Sequence, residues 1–316
     1  MDTSVAPVVN VDLDSLQSFA GKTIIVTGAS SGIGLEIAEF FYDLGCNVVF
    51  VGGRKRPDTY VDLDSSRTLV CQCDISSWDS QVEIFEAAKQ KFGHIDIICL
   101  NAGIAEPRGQ FFDVKVDQTG KPLPPDLRVL DVDLKGTVYG VALGFHYLRE
   151  GGGTIIMVTS RAGYGGNEIM PGYSAAKNGA TGLLRSLAGS AKEKGIALTI
   201  VAPHITFTPG VFPQQYKRGK EAFDQMRTEL QVIGINLSSS RTCAIACAYL
   251  VNGGLEMSGT GLLVENDEIY NIEQSINDNL PAWFKVKSDT KAAREEYIKQ
   301  MERDQAVKTQ AAGQVC

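Results

Sequence analysis

No stretch of 18 consecutive apolar residues occurs anywhere in the 316-residue chain, so the ordinary signature of a membrane-spanning helix is missing. The first residues carry Asp2, Asp12 and Asp14 where a secretory peptide needs a basic segment and an apolar core, and a cytoplasmic protein with no membrane partner is expected. Basic residues are outnumbered, 30 Lys and Arg against 37 Asp and Glu, for a net charge of -7. With a pI near 5.1, that balance argues against a nucleic-acid partner, which calls for a basic surface. Cys71-x-Cys73 and Cys243-x-x-x-Cys247 lack the paired spacing of a zinc site, and Cys46, Cys99 and Cys316 stand apart from them. Free buried thiols and no bound metal are expected. Internal repeats and low-complexity segments are also missing.

What remains suits a soluble enzyme: 44% hydrophobic and 21% charged residues over a length that can bury one large core. Apolar runs alternate with helical patterns. Strands are predicted near residues 23–27, 47–51, 68–72, 95–100, 154–159, 196–201 and 261–264. Helices are predicted near 33–44, 78–92, 126–149, 172–194, 220–230 and 239–251. This alternation predicts an α/β fold, a doubly wound parallel sheet covered on both faces in three layers, within a single domain of residues 20–280. Residues 1–19 read as a loosely ordered extension and residues 281–316 as a helical tail. Long loops at 104–125 and 203–219 follow predicted strands, the usual place for a ligand pocket.

Two patterns carry chemistry. Tyr173 and Lys177 lie four residues apart at the start of a small-residue helix, and Ser160 closes the apolar run that begins at Thr154. Positions i and i+4 share a helix face about 6 Å apart along the axis. A cation beside a phenol favours the phenolate, which lets the phenol exchange a proton with an alcohol or ketone. A second such spacing, Tyr216 and Lys220, sits in a charge-rich stretch without a serine partner, so context has to separate the two. Near the start, a β-branched run from Thr23 to Thr27 leads into Gly28-Ala29-Ser30-Ser31-Gly32-Ile33-Gly34 and an amphipathic segment. A glycine-rich turn between strand and helix exposes backbone N–H groups and a helix dipole to an anion such as a pyrophosphate. The spacing Gly-x-x-x-Gly-x-Gly departs from the common dinucleotide fingerprint.

Thr27-Gly28-x-x-x-Gly32-Ile33-Gly34, Asn101-Ala102-Gly103, Ser160, Tyr173 and Lys177 occur in an order and spacing that resemble the short-chain dehydrogenase/reductase family. The resemblance runs from about residue 21 to 264. Residues 125–147 and the segment after Gly152 look like fungal members related to 15-hydroxyprostaglandin dehydrogenases. The resemblance implies a Rossmann-type fold and a ketone or alcohol substrate. Ser160 would orient the substrate oxygen, Tyr173 would act as acid and base, and Lys177 would bind nicotinamide ribose and ease ionisation of the tyrosine. Gly28, Ser30, Ser31, Gly32, Ile33, Gly34, Asp74, Ile75, Asn101, Ala102, Gly103, Pro203 and Thr208 would complete the cofactor site, with Asp74 contacting adenine.

At the end of the second strand, Val51-Gly52-Gly53 offers no carboxylate for a ribose 2′-OH, and Arg54-Lys55-Arg56 follows. NADPH is therefore expected over NADH, with Arg54 as a phosphate contact. Two positions depart from the family pattern: Asp133 stands where the family usually has asparagine, and His204 where it usually has glycine. Asp133 would keep a backbone role in the proton relay while adding charge near Lys177. His204 could hydrogen-bond substrate or cofactor, or simply fill space. The expected function is an NADPH-dependent ketone reductase, or the reverse secondary-alcohol dehydrogenase, with fungal secondary metabolism as an analogy. An NAD-dependent alcohol oxidase and a non-redox cyclase, isomerase or cofactor-binding protein stay open as alternatives. A small-and-apolar stripe of Ala176, Gly179, Ala180, Leu183, Ser186 and Leu187 predicts a homodimer or homotetramer.

Overall fold

The computed structural model describes residues 6–53, 63–283, 296, 299–301 and 303. Arg54, Lys55 and Arg56 lie outside the described residues, as does most of the tail pattern beyond Trp283. The chain divides into two compact units, Met1–Ser275 and Ile276–Cys316. The first unit holds the whole sheet.

Eight strands form one sheet in the order β3-β2-β1-β4-β5-β6-β7-β8. They are β1 (Thr23–Thr27), β2 (Asn47–Gly52), β3 (Thr68–Gln72), β4 (Ile97–Leu100), β5 (Gly153–Val158), β6 (Ile196–Pro203), β7 (Gly261–Glu265) and β8 (Glu268–Asn271). All neighbours pair parallel except β7 and β8. Successive strand residues serve opposite faces, as a pleat requires. Ile24 and Val26 of β1 join the core under α1 (Gly32–Asp43) and α6 (Ser240–Asn252), whereas Ile25 joins the core under α2 (Trp78–Phe92), α3 (Gly136–Tyr147) and α4 (Pro171–Glu193). Helix α5 (Lys220–Gln231) falls where a helix is predicted, whereas α7 (Ile272–Trp283) is a helix that the sequence reading missed. The three layers are those expected, and no described helix is long and apolar enough to cross a membrane.

Three further differences from the sequence reading have physical causes. The strand β8 was not expected, because its hairpin turns on Asn266 and Asp267, which adopt φ of 53° and 60°. Asn and Asp tolerate that left-handed conformation, and two such residues make the tight turn that antiparallel pairing needs. Residues 7–9 are bound rather than loose: Val9 N donates to Ile269 O at 2.7 Å and Asn271 N to Pro7 O at 2.8 Å, which covers part of the open edge of β8. The long predicted helix at 126–149 begins as a π-helical turn, Leu130–Lys135, before α3 proper. Ala176 and Ala180 of the expected subunit-facing stripe are buried within their own chain, and a side chain on Gly179 would meet Leu134, so the chain's own core claims part of that stripe.

Phe19 extends the bound N-terminal segment into the core, 2% exposed and stacked on Phe41 with ring centroids 5.6 Å apart. Phe19→Ala is expected to lower the unfolding free energy by about 3–5 kcal/mol, the usual scale for emptying a buried aromatic site. Equilibrium urea unfolding measures it. A change below about 1 kcal/mol would mean that this segment is not part of the folding unit.

Candidate active site

The strand order reverses between β1 and β4, and the carboxyl ends of β1, β4, β5 and β6 open there into a cleft of about 520 Å³. Open α/β sheets bind ligands at such a switch point because flanking loops diverge from it. Thr27 and Asn101 hold the point together. Asn101 Nδ2 donates to Thr27 O at 2.9 Å, and the Asn101 and Ala102 amides donate to Thr27 Oγ1 at 2.9 and 3.0 Å. Gly28 turns the chain here with φ of 70°, and a Cβ on it would stand 2.8 Å from Ala102 Cα. Only glycine combines that conformation with that approach.

Helix α1 starts at the cleft. Its N-cap Ser31 makes no side-chain capping bond, and its first turn carries no acidic residue. Free N–H groups with the positive end of the helix dipole therefore face the cavity. Gly32, Ile33 and Gly34 line it, and Thr208 from the loop after β6 closes on Gly32, where a Cβ would meet Thr208 Cβ at 3.2 Å. These backbone donors and the glycine cradle fit the pyrophosphate of a dinucleotide.

At the other end of the cleft stands a buried ion pair. Lys177 Nζ lies 3.0 Å from Asp133 Oδ2, with side-chain exposures of 5% and 0%. Asp133 Oδ1 accepts the Ile104 amide at 2.8 Å, and Lys177 also donates to Val158 O at 3.3 Å. Burial alone would push the Lys177 pKa down. The Asp133 carboxylate and Tyr173 oppose it, and the balance holds the ammonium above its ordinary value of 10.5. The same ammonium sits 5.4 Å from the Tyr173 ring centroid. Asp133 thus reaches Lys177 with its side chain, a charge interaction that an asparagine lacks.

Ser160 follows β5 in extended conformation, its Oγ accepting the Ala162 amide at 3.1 Å, which leaves its hydroxyl hydrogen free to aim elsewhere. The structure brings Gly28, Ser31, Gly32, Ile33, Gly34, Asn101, Ala102, Gly103, Asp133, Ser160, Tyr173, Lys177, Pro203 and Thr208 to the one cleft. Ser30, Asp74 and Ile75 do not line it. Asp74 is tied to Ser76, whose hydroxyl and amide hold its carboxyl below the usual range. Ile75 lines a separate, much smaller cavity beneath α3. The rival spacing resolves as structural: Tyr216 packs on Phe207 with centroids 5.0 Å apart, and Lys220 pairs with Asp224 at the start of α5.

His204 does line the cleft. Its Nδ1 lies 3.1 Å from Glu265 Oε1 and its amide donates to Val264 O. Desolvation lowers its pKa, Arg161 pushes the same way, and Glu265 opposes both. Two residues at or next to the site went unread in the sequence. Arg161, directly after Ser160, lines the cavity and forms no ion pair among the described residues; adjacency to Ser160 was the available signal. Glu106, 6% exposed, binds the first turn of α4 from a loop 66 residues earlier, a link that no local pattern could reveal.

A phenol beside a buried ammonium, a serine lining the same cleft and an anion-ready helix start are the parts that a dinucleotide-dependent site acting on an alcohol or carbonyl oxygen requires. The comparisons with known proteins agree with this class. The family model described as short chain dehydrogenase matches residues 22–217. The chain belongs to that family and is an NAD(P)-dependent oxidoreductase acting on CH–OH and C=O groups. It is 30% identical to the short-chain dehydrogenase/reductase ascJ of Acremonium egyptiacum over 88% of this chain and 89% of that protein. It is 26% identical to the 5'-hydroxyaverantin dehydrogenase stcG of Emericella nidulans over 83% and 90%. The crystal structure of levodione reductase superposes with a TM-score of 0.65 at 21% identity, covering 78% of this chain and 97% of that one, a likeness of fold.

Asp133→Asn is expected to lower the unfolding free energy by about 3–5 kcal/mol, because it strands a buried charge. The sign with pH follows from a raised lysine pKa. The stabilisation by the pair is fully present below 10.5 and is lost as pH rises through the higher folded value. Urea unfolding at pH 7 and above 10.5 should show the wild-type advantage at the first and its decline at the second. Equal stabilities at pH 7 would contradict a contributing pair.

Proposed function

We propose that the protein is an NADPH-dependent ketone reductase, working in reverse as a secondary-alcohol dehydrogenase. The observation that carries this reading is the meeting of Ser160, Tyr173 and Lys177 in one cleft with the open start of α1. The bound nicotinamide supplies or accepts the hydride. In this reading, Ser160 donates a hydrogen bond to the substrate oxygen and fixes the carbonyl. Tyr173 gives that oxygen its proton in reduction and takes it back in oxidation. Lys177, held charged by Asp133, sets a positive charge beside that phenol and reaches the nicotinamide ribose. Ile104, Met170, Ile205 and Val211 give the substrate end an apolar wall, which suits a ring or chain around the reacting carbon. The name of the 5'-hydroxyaverantin dehydrogenase relative supports a substrate from fungal secondary metabolism. The preference for NADPH rests on Gly52 and Gly53 at the end of β2, where no carboxylate stands to accept a ribose hydroxyl.

Oxidation of NADPH in the presence of a panel of cyclic, aliphatic and aryl ketones, read by loss of nicotinamide absorbance, tests the activity. Tyr173→Phe should cut turnover at least about 100-fold while NADPH affinity, measured by fluorescence titration, stays within about twofold, since only the transferable proton is removed. Substantial turnover in that variant would sink the acid and base role.

Gly52→Asp should move the ratio of kcat/KM for NADPH and NADH towards NADH by about tenfold or more, through a carboxylate that meets the ribose hydroxyls and repels a 2′-phosphate. A wild-type enzyme that already prefers NADH, or an unmoved ratio, would overturn the cofactor reading in favour of an NAD-dependent oxidase.

A further inference from the structure

We propose that Glu106 is a positioning residue that latches the loop of residues 104–126 to the first turn of α4, so that this loop and Tyr173 take up their working places together. The inference rests on Tyr173 as the proton-exchanging group. Helix α4 begins Pro171, Gly172, Tyr173, and its N-cap Met170 provides no side-chain bond. A helix start leaves its first N–H groups without intrahelical acceptors, and buried ones must find a partner. Pro171 has no N–H, and Ser174 N already bonds Met170 O at 3.0 Å. The two groups between them, Gly172 N and Tyr173 N, both donate to the Glu106 carboxylate, each at 3.1 Å, one to each oxygen.

Glu106 forms no ion pair among the described residues, although it is only 6% exposed. Its charge is met by the N–H groups and dipole of α4, with a longer bond of 3.4 Å from Gln110 Nε2. Gly172 leaves it the room. A Cβ at Gly172 would stand 2.2 Å from Glu106 Oε2, so a side chain there expels the carboxylate. Gln110 then fastens the far end of the loop, accepting Asp126 N at 2.7 Å and donating to Asp126 O at 3.2 Å. The near end is fixed as well, because Ile104 N donates to Asp133 Oδ1. The loop is thereby held to Asp133, the partner of Lys177, and to the backbone of Tyr173. An ordinary cap would stabilise the helix and do nothing more. This one is supplied by a loop whose Ile104 and Ala105 line the cleft, and it fixes the turn that carries the phenol. A shift of about 1 Å in a reacting group can cost about 100-fold in rate.

Hydrogen exchange read by mass spectrometry on the NADPH-loaded protein, together with turnover of a ketone from that panel that the wild type reduces, tests the latch. In Glu106→Gln, exchange should rise together in peptides covering residues 104–126 and the first turn of α4, by about tenfold if the two open as one unit. Turnover should fall about 10- to 100-fold while NADPH affinity stays within about twofold. Gly172→Ala should reproduce the pattern with Glu106 in place. If Glu106→Gln does not fold, Gln110→Ala provides the same coupled rise in exchange from the loop side. Faster exchange in only one of the two segments, or turnover within about twofold of wild type, would overturn the proposal and leave Glu106 a plain cap. A wild-type protein that binds NADPH but reduces no ketone of the panel would count against the reductase reading, and the exchange measurements would still decide the latch.

Discussion

Lys177 is an ammonium buried at the end of a sheet, and much of the surrounding structure exists to make that tolerable. Removing such a charge from water costs several kcal/mol unless it is paired and hydrogen-bonded. Its partners come from two different elements, the Asp133 carboxylate and Val158 O. Asp133 needs a place with no exposure that also faces Lys177, and it stands in the π-helical turn of Leu130–Lys135 rather than in regular helix. Single π turns often mark functional sites because the wider turn re-aims one side chain without ending the helix. The second Asp133 oxygen fixes the amide of Ile104, so the pair also sets where the loop after β4 begins.

The fold was largely readable because its signals are local. Seven of the eight strands and all six predicted helices rest on runs and periodicities that any buried parallel sheet must have, and helix α2 falls at Trp78–Phe92 as its pattern predicts. The eighth strand hides in four residues and a two-residue turn, although Asn266-Asp267 is a hairpin signal in its own right. The N-terminal segment was misread for a similar reason. Its ordering comes from backbone bonds to β8 and from Phe19 on Phe41, partners that are distant in sequence.

The site divides along the same line. Tyr173 and Lys177 announce themselves by spacing, and Ser160 by its place after a strand. The copy at Tyr216 and Lys220 has the spacing without the helix, since α5 begins only at Lys220 and the tyrosine is left in the preceding loop. Glu106 gives no such notice. Its role is defined by two N–H groups 66 and 67 residues further on, and a glutamate in a loop otherwise reads as solvated charge.

Two helix starts face this cleft, and the chain treats them in opposite ways. The N-cap of α1 makes no side-chain bond, and no acid stands in its first turn, so its donors and dipole remain available to a phosphate. The corresponding donors of α4 are consumed by Glu106. An open second start would attract the same anion to the substrate end of the cleft, next to Lys177. Filling it with a fixed carboxylate leaves the start of α1 as the helix terminus open to an anion in this cleft, the asymmetry that the proposed reading needs for a dinucleotide to lie in one direction.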